Sequence, residues 1–164
     1  MGGLNKRVVF AAVVLAVLGM AGTAWSQDAA TVIKERQASM KAQGKDLGQI
    51  KAYLDGKAGL APAQAAGADL VTRVARIPEL FPPKTSSAEF PGKTEAKPEI
   101  WSDAAKFAAA QKNALAKVEA LDAALKGGNK GAIAAAFGGV IKGGLYNPGN
   151  GCGGCHATFR LKKS

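Results

Sequence analysis

The two cysteines and the only histidine of this 164-residue chain fall within five consecutive positions, in "CGGCHATFR" near the C-terminus. Cys152, Cys155 and His156 constrain the fold more than any other feature, because whatever they hold together has to be enclosed by the chain before them. On a helical turn a spacing of three puts both sulfurs on one side, with the imidazole next to them. The upstream segments must then supply a core that closes around this end.

The first 26 residues stand apart. Lys6 and Arg7 precede an apolar run over residues 8–22, and small residues, Ala24 and Ser26, stand before Gln27. That is the pattern of a secretory signal peptide. A retained membrane anchor is the alternative, but the run falls short of the roughly 18 apolar residues wanted for a span. Cleavage near Ser26-Gln27 leaves 27–164 as one domain, exported to the periplasm. It also lowers the formal charge by two from +10. A basic surface suits nucleic acid, an anionic membrane or an acidic protein partner. Export disfavours nucleic acid, and lysines spread along the chain read mostly as solvated faces.

The rest is rich in Ala, Leu, Lys and Gln and shows helical rather than alternating periodicity. A first helix is expected over 28–54, where Ile33, Met40, Leu47 and Leu54 recur every seven residues with Ile50 beside them; Gly56 and Gly59 end it. A second starts near Pro62 and runs to Arg76, with Leu70, Val71 and Val74 on one side. Residues 78–99 hold five of the seven prolines and predict a long loop. A loop of that length is unusual in a small domain unless it covers something. Ser102 is a suitable cap for a third helix reaching Lys126, along which Phe107, Gln111, Ala114, Val118, Leu121 and Leu125 advance by fours and threes. A fourth begins near Asn129, carries Ile133, Phe137, Val140 and Ile141, and is interrupted over 143–151 before a short helix bearing the cysteines. The expected class is all-α, an antiparallel four-helix bundle.

Cys-x-x-Cys-His is the attachment signature of c-type haem. The two thiols form thioethers with the vinyl groups, and neutral imidazole is a good axial ligand for the iron. Three other uses of these residues compete. A disulfide would close only a tiny loop, with little entropic gain. A structural zinc site wants four protein ligands, and no further Cys or His exists. A thioredoxin-like dithiol needs a strand-to-helix setting that the pattern does not supply.

A haem held by His156 has a second axial position, for which methionine is the usual remaining strong ligand. Met40 is the only methionine after residue 26 and lies on the inward stripe of the first helix. Ordinary core packing is the alternative use. Arg36, one turn earlier, wants an anion if buried, which haem propionates would provide; solvent exposure is the other reading. Arg160 follows His156 by four residues, placed to act on the iron electrostatically or to meet whatever approaches that face. Trp101 and Phe159 read as core or haem-wall residues.

Taken together, "IKERQASMKAQGK", "KPEIWSDAAKFAAA", "AIAAAFGGV" and "CGGCHATFR" resemble the cytochrome c′ family, including its cytochrome c-556 branch, over nearly all of residues 27–164. The resemblance implies a left-handed four-helix bundle with one covalent haem c near the C-terminus, often as a homodimer. It implies Cys152 and Cys155 as the attachment points and His156 as the proximal iron ligand. Arg36 and Gln37 match the pair that approaches the propionates, and Arg160 matches a basic residue beside the proximal histidine. Met40 falls at the distal position. Members with a bulky non-ligating residue there resemble five-coordinate, high-spin cytochromes c′ that bind nitric oxide or carbon monoxide; members with methionine resemble six-coordinate, low-spin c-556 electron carriers. One departure is plain: about eight extra residues, "KGGLYNPG", separate the fourth helix from Cys152.

The expectation from sequence is therefore a one-electron carrier with His156 and Met40 on the iron, meeting redox partner proteins of acidic surface. The alternative is a five-coordinate cytochrome c′ that binds nitric oxide or carbon monoxide. A dithiol oxidoreductase without haem is a third, weaker reading. With its only histidine already committed, the chain has none to activate peroxide, so no enzyme activity is expected.

Overall fold

Short polar side chains set where the helices begin. Asp28 accepts from the Thr31 amide at 3.3 Å and opens α1 (Ala29–Leu54). Asn129 accepts from the Ala132 amide at 2.9 Å and opens α5 (Lys130–Ile141). The computed structural model describes residues 28–162, so the signal peptide and its cleavage site lie outside the described residues. α2 (Leu60–Ala75) has no side-chain cap, and Pro62 sits in its first turn. The expected cap of the long third bundle helix is corrected by one residue. Pro98 starts a single helical turn, α3 (Glu99–Ser102), which takes Ser102 into helical backbone. Asp103 is left to accept from the Lys106 amide and cap α4 (Ala104–Gly127). Gly128, at φ +72°, closes that helix in the left-handed conformation that glycine adopts without strain.

α1, α2, α4 and the pair α5–α6 (Gly151–Phe159) form the four-helix bundle, each long helix packing on the next. The core between them is Ile50, Leu70, Val74, Val118, Leu121, Leu125, Ile133 and Val140, all fully buried. α2 and α4 approach closely at Gly67, where a Cβ would lie 2.6 Å from Leu125 Cδ1. α6 packs on α4 and α5 but not closely on α1, which leaves room between the two. No helix among the described residues is long and apolar enough to cross a membrane.

The proline-rich crossover does cover something. After a 3-10 turn (Ile77–Leu80) it runs across the end of the bundle and is anchored on both sides. On the α1 side the buried Arg36 guanidinium donates to Leu80 O, Thr85 Oγ1, Thr85 O and Thr94 Oγ1 at 2.9–3.3 Å. On the α6 side, Lys97 N donates to Phe159 O at 3.0 Å and Leu161 N to Glu95 O at 2.8 Å, flanking a bridge between Ala96 and Arg160. A second cluster, Ala96, Ile100 and Phe159 with Phe81 and Phe107 against it, fills the space beneath.

Leu121→Ala, which opens a cavity in the centre of the core, is expected to lower the unfolding free energy by about 2–5 kcal/mol in urea titration. Arg36→Ala strips the crossover of its charged donor. Loss of about 2–3 kcal/mol is expected, with faster amide exchange confined first to residues 85–96.

Candidate functional site

The gap between α1 and α6 is a cavity of about 460 Å³, within the range of small-molecule and cofactor sites. Its α6 wall presents Cys152, Cys155, His156 and Phe159; its α1 wall presents Arg36, Gln37 and Met40. Val74, Phe81, Phe107 and Ala114 make the apolar floor, and Leu145 and Arg160 stand at the rim. The structure thus brings every site residue expected from sequence to one cavity. Trp101 is not in the lining: its indole N–H donates to Phe81 O at 3.0 Å, and it braces the crossover.

Burial determines the chemistry of the α6 wall. Both sulfurs are free thiols pushed up to about 11 by burial, with Cys155 raised further by Cys152. His156 is lowered to about 4, first by burial and then by the charge of Arg160, against a small opposing effect of the Leu145 backbone. Its Nδ1 is buried without a hydrogen-bond partner. A neutral imidazole beside two neutral, inward-facing thiols is a donor set waiting for a group that takes nitrogen ligation and thioether bonds.

The other polar residues are already engaged. Arg36 spends its donors on the crossover and stacks over the Phe81 ring at 4.6 Å. Burial lowers it to about 10, which leaves it cationic at neutral pH. The anion expected of a buried arginine is replaced by carbonyl and hydroxyl oxygens. Gln37 likewise donates to Lys93 O at 2.7 Å. Arg160 does not continue the helix: α6 ends at Phe159, and Arg160 is extended backbone. Its guanidinium lies 3.8 Å from Glu95 Oε2 and over the Tyr146 ring at 5.7 Å.

Sequence reasoning missed the part played by residues 142–150. This loop folds back against the cysteine segment, and the Tyr146 ring lies 6.3 Å from the His156 ring. A Cβ at Gly153 would be 2.7 Å from Asn147 O, and one at Gly154 would be 2.8 Å from Pro148 O. The two glycines between the cysteines are therefore required by the loop. The available signal was a lone tyrosine in a Gly/Asn/Pro turn.

An all-helical bundle enclosing a cavity with the Cys-x-x-Cys-His donors on one wall defines a haem-binding protein of the c type. The cytochrome C′ family profile matches residues 31–160. Cytochrome c′ of Rubrivivax gelatinosus is 36% identical over 132 residues, spanning 79% of this chain and 94% of that protein. Two solved structures share the fold. A nitric oxide complex of a cytochrome c′ variant from Alcaligenes xylosoxidans superposes with a TM-score of 0.69 at 29% identity, covering 84% of this chain and 98% of the other. A cytochrome c′ with ligand-controlled dimer dissociation gives 0.71 at 25% identity, covering 82% and 98%.

This chain belongs to the cytochrome c′ family, which carries covalently attached haem c. That membership overturns the expectation of a c-556-like one-electron carrier with low-spin iron between His156 and Met40. Profile and relatives alike are cytochrome c′, and the Alcaligenes protein takes nitric oxide. Methionine at this position does not by itself specify ligation, because a thioether on an inward helical stripe also serves as an apolar wall.

Before any group is attached, the cavity-wall shifts set a stability window. Below pH 6.5 the unfolded chain protonates His156 while the folded one resists until about 4, so stability falls as pH drops through that interval. From about 9 to 11 the unfolded thiols ionise first, and stability falls as pH rises. Urea midpoints of the haem-free chain should therefore be highest between about pH 6.5 and 9, and a His156→Ala chain should lose the acid limb.

Proposed function

We propose that the protein is a periplasmic, non-enzymatic cytochrome c′ that binds nitric oxide or carbon monoxide at a single five-coordinate haem. Cys152 and Cys155 would hold the macrocycle through two thioethers, and His156 would supply a nitrogen to the iron. When bound, the haem would supply iron to which a diatomic ligand can bind. The observation that carries the reading is the wall across the cavity from α6. Met40 on that wall meets Val74, Phe81 and Phe107 of the floor in an apolar lining without a second imidazole, which favours small uncharged molecules over anions.

Arg36 and Gln37 anchor the crossover over this site and line the cavity, where haem propionates would meet them. Carbon monoxide binds haem iron only in the ferrous state, so its uptake calls for a reducing partner. The basic chain suits one with an acidic surface, and that association weakens with salt. A homodimer is supported by the relative whose dimer dissociates under ligand control.

The optical spectrum of the purified protein tests the reading. High-spin ferric and ferrous spectra that shift on adding carbon monoxide are expected. Met40→Ala should keep the high-spin signature and bind carbon monoxide faster through a wider cavity. A low-spin spectrum in the native protein that becomes high-spin only in Met40→Ala would refute it.

A further inference from the structure

The exposed large apolar side chains among the described residues are Leu145 and Leu161, at 37% and 42% exposure. One lies in the loop over 142–150 and the other just after α6, yet one side chain joins them. Tyr146, next to Leu145, donates its Oη to Leu161 O at 3.1 Å. Leu161 is held from its other side as well, its N–H donating to Glu95 O at 2.8 Å. The loop that carries Leu145 is itself pinned: Asn147 Nδ2 donates to Lys142 O at 2.9 Å, and its Oδ1 accepts from Gly149 N at 3.0 Å. The apolar surface is therefore already in place before anything meets it, which lowers the cost of a contact there.

Cations gather at the same place. Arg160 lies over the Tyr146 ring at 5.7 Å and Lys162 at 5.5 Å. Lys97 donates to Thr158 O at 3.0 Å, one turn of chain before Leu161. Glu95, the one acidic residue lining the cavity, stands 3.8 Å from Arg160, so positive groups outnumber it here. This surface also adjoins the site: Leu145 and Arg160 line the cavity whose wall bears Cys152, Cys155 and His156. An apolar centre with a charged margin is the anatomy of a protein docking site. Each leucine keeps more than half of its surface covered, which suits contact with another protein better than insertion among lipid tails.

We infer that Leu145, Tyr146 and Leu161, with the cations Lys97, Arg160 and Lys162, form the docking surface for the reducing partner. That partner is a one-electron carrier protein with an apolar centre inside an acidic margin. The inference rests on the haem-binding reading above. The partner loses one electron and is oxidised, ferric iron gains it and becomes ferrous, and no covalent bond changes. The extra loop, which departs from the family pattern, thereby supplies half of a recognition surface beside the cavity.

Binding of oxidised flavodoxin, an acidic one-electron carrier, tests this. It is titrated into the 15N-labelled, haem-loaded ferrous protein under carbon monoxide, and amide shifts are followed by NMR. Shifts are expected at residues 142–147 and 158–162, with an affinity that falls as salt is added. Leu161→Asp and Lys162→Glu should each weaken binding about tenfold at low salt. Lys57→Glu, in the turn after α1 and outside the cavity lining, should weaken it about twofold at most. Equal weakening by Lys57→Glu overturns the inference, because the net charge alone would then explain the binding. Should the variants fail to fold, the native protein still answers: absence of shifts at residues 142–147 and 158–162 overturns it. Co-sedimentation with phosphatidylglycerol vesicles, lost in Leu161→Asp and without flavodoxin shifts at those residues, assigns the surface to an anionic membrane instead. A pyridine haemochrome without the c-type signal removes the functional reading and this inference with it. A normal haemochrome without those shifts removes the inference alone.

Discussion

A permanently charged guanidinium buried at the end of the bundle organises everything around the cavity. Arg36 has no carboxylate partner among the hydrogen bonds it makes; Leu80, Thr85 and Thr94 satisfy it instead, with the Phe81 face stacked beneath. Such a group is tolerated only when its donors are met, because unpaired charge in an apolar interior is expensive. The crossover is consequently not free to lift. Its far end pairs with the residues just after α6, so one arginine on α1 fixes the lid and, through the lid, the exit of the helix bearing the cysteines.

The second constraint is the break in the fourth helix. The loop over 142–150 separates α5 from α6, which packs on α4 and stands away from α1. The cavity exists because of that separation. The loop then returns over Gly153 and Gly154 so closely that neither position accepts a Cβ. Loop and cysteine segment are two halves of one packing solution.

Local pattern carried much of this. The seven-residue recurrence placed Ile33, Leu47 and Ile50 in the core and Met40 at the cavity, and the prolines of 78–99 marked a covering loop. Helix starts were legible where one capping residue stood alone, as at Asn129. The α4 start was missed because Ser102 and Asp103 both qualify and Pro98 decides between them. The partners of Arg36 lie more than 40 residues away in sequence and are neutral oxygens, which no spacing rule encodes. The function went astray at Met40 for a related reason. Sequence shows that a thioether faces the cavity, but bonding to a metal and packing beside one place the same residue on the same stripe.

Three of the nine residues of α6 are glycine, each about 1 kcal/mol less helix-favouring than alanine, and so short a helix does not persist alone in water. Its helicity is borrowed from α4 and the returning loop. The isolated segment therefore has little helix of its own, whereas the finished bundle turns both sulfurs inward and keeps them protonated. Order at the cysteine segment is accordingly a product of the closed bundle rather than of its own nine residues.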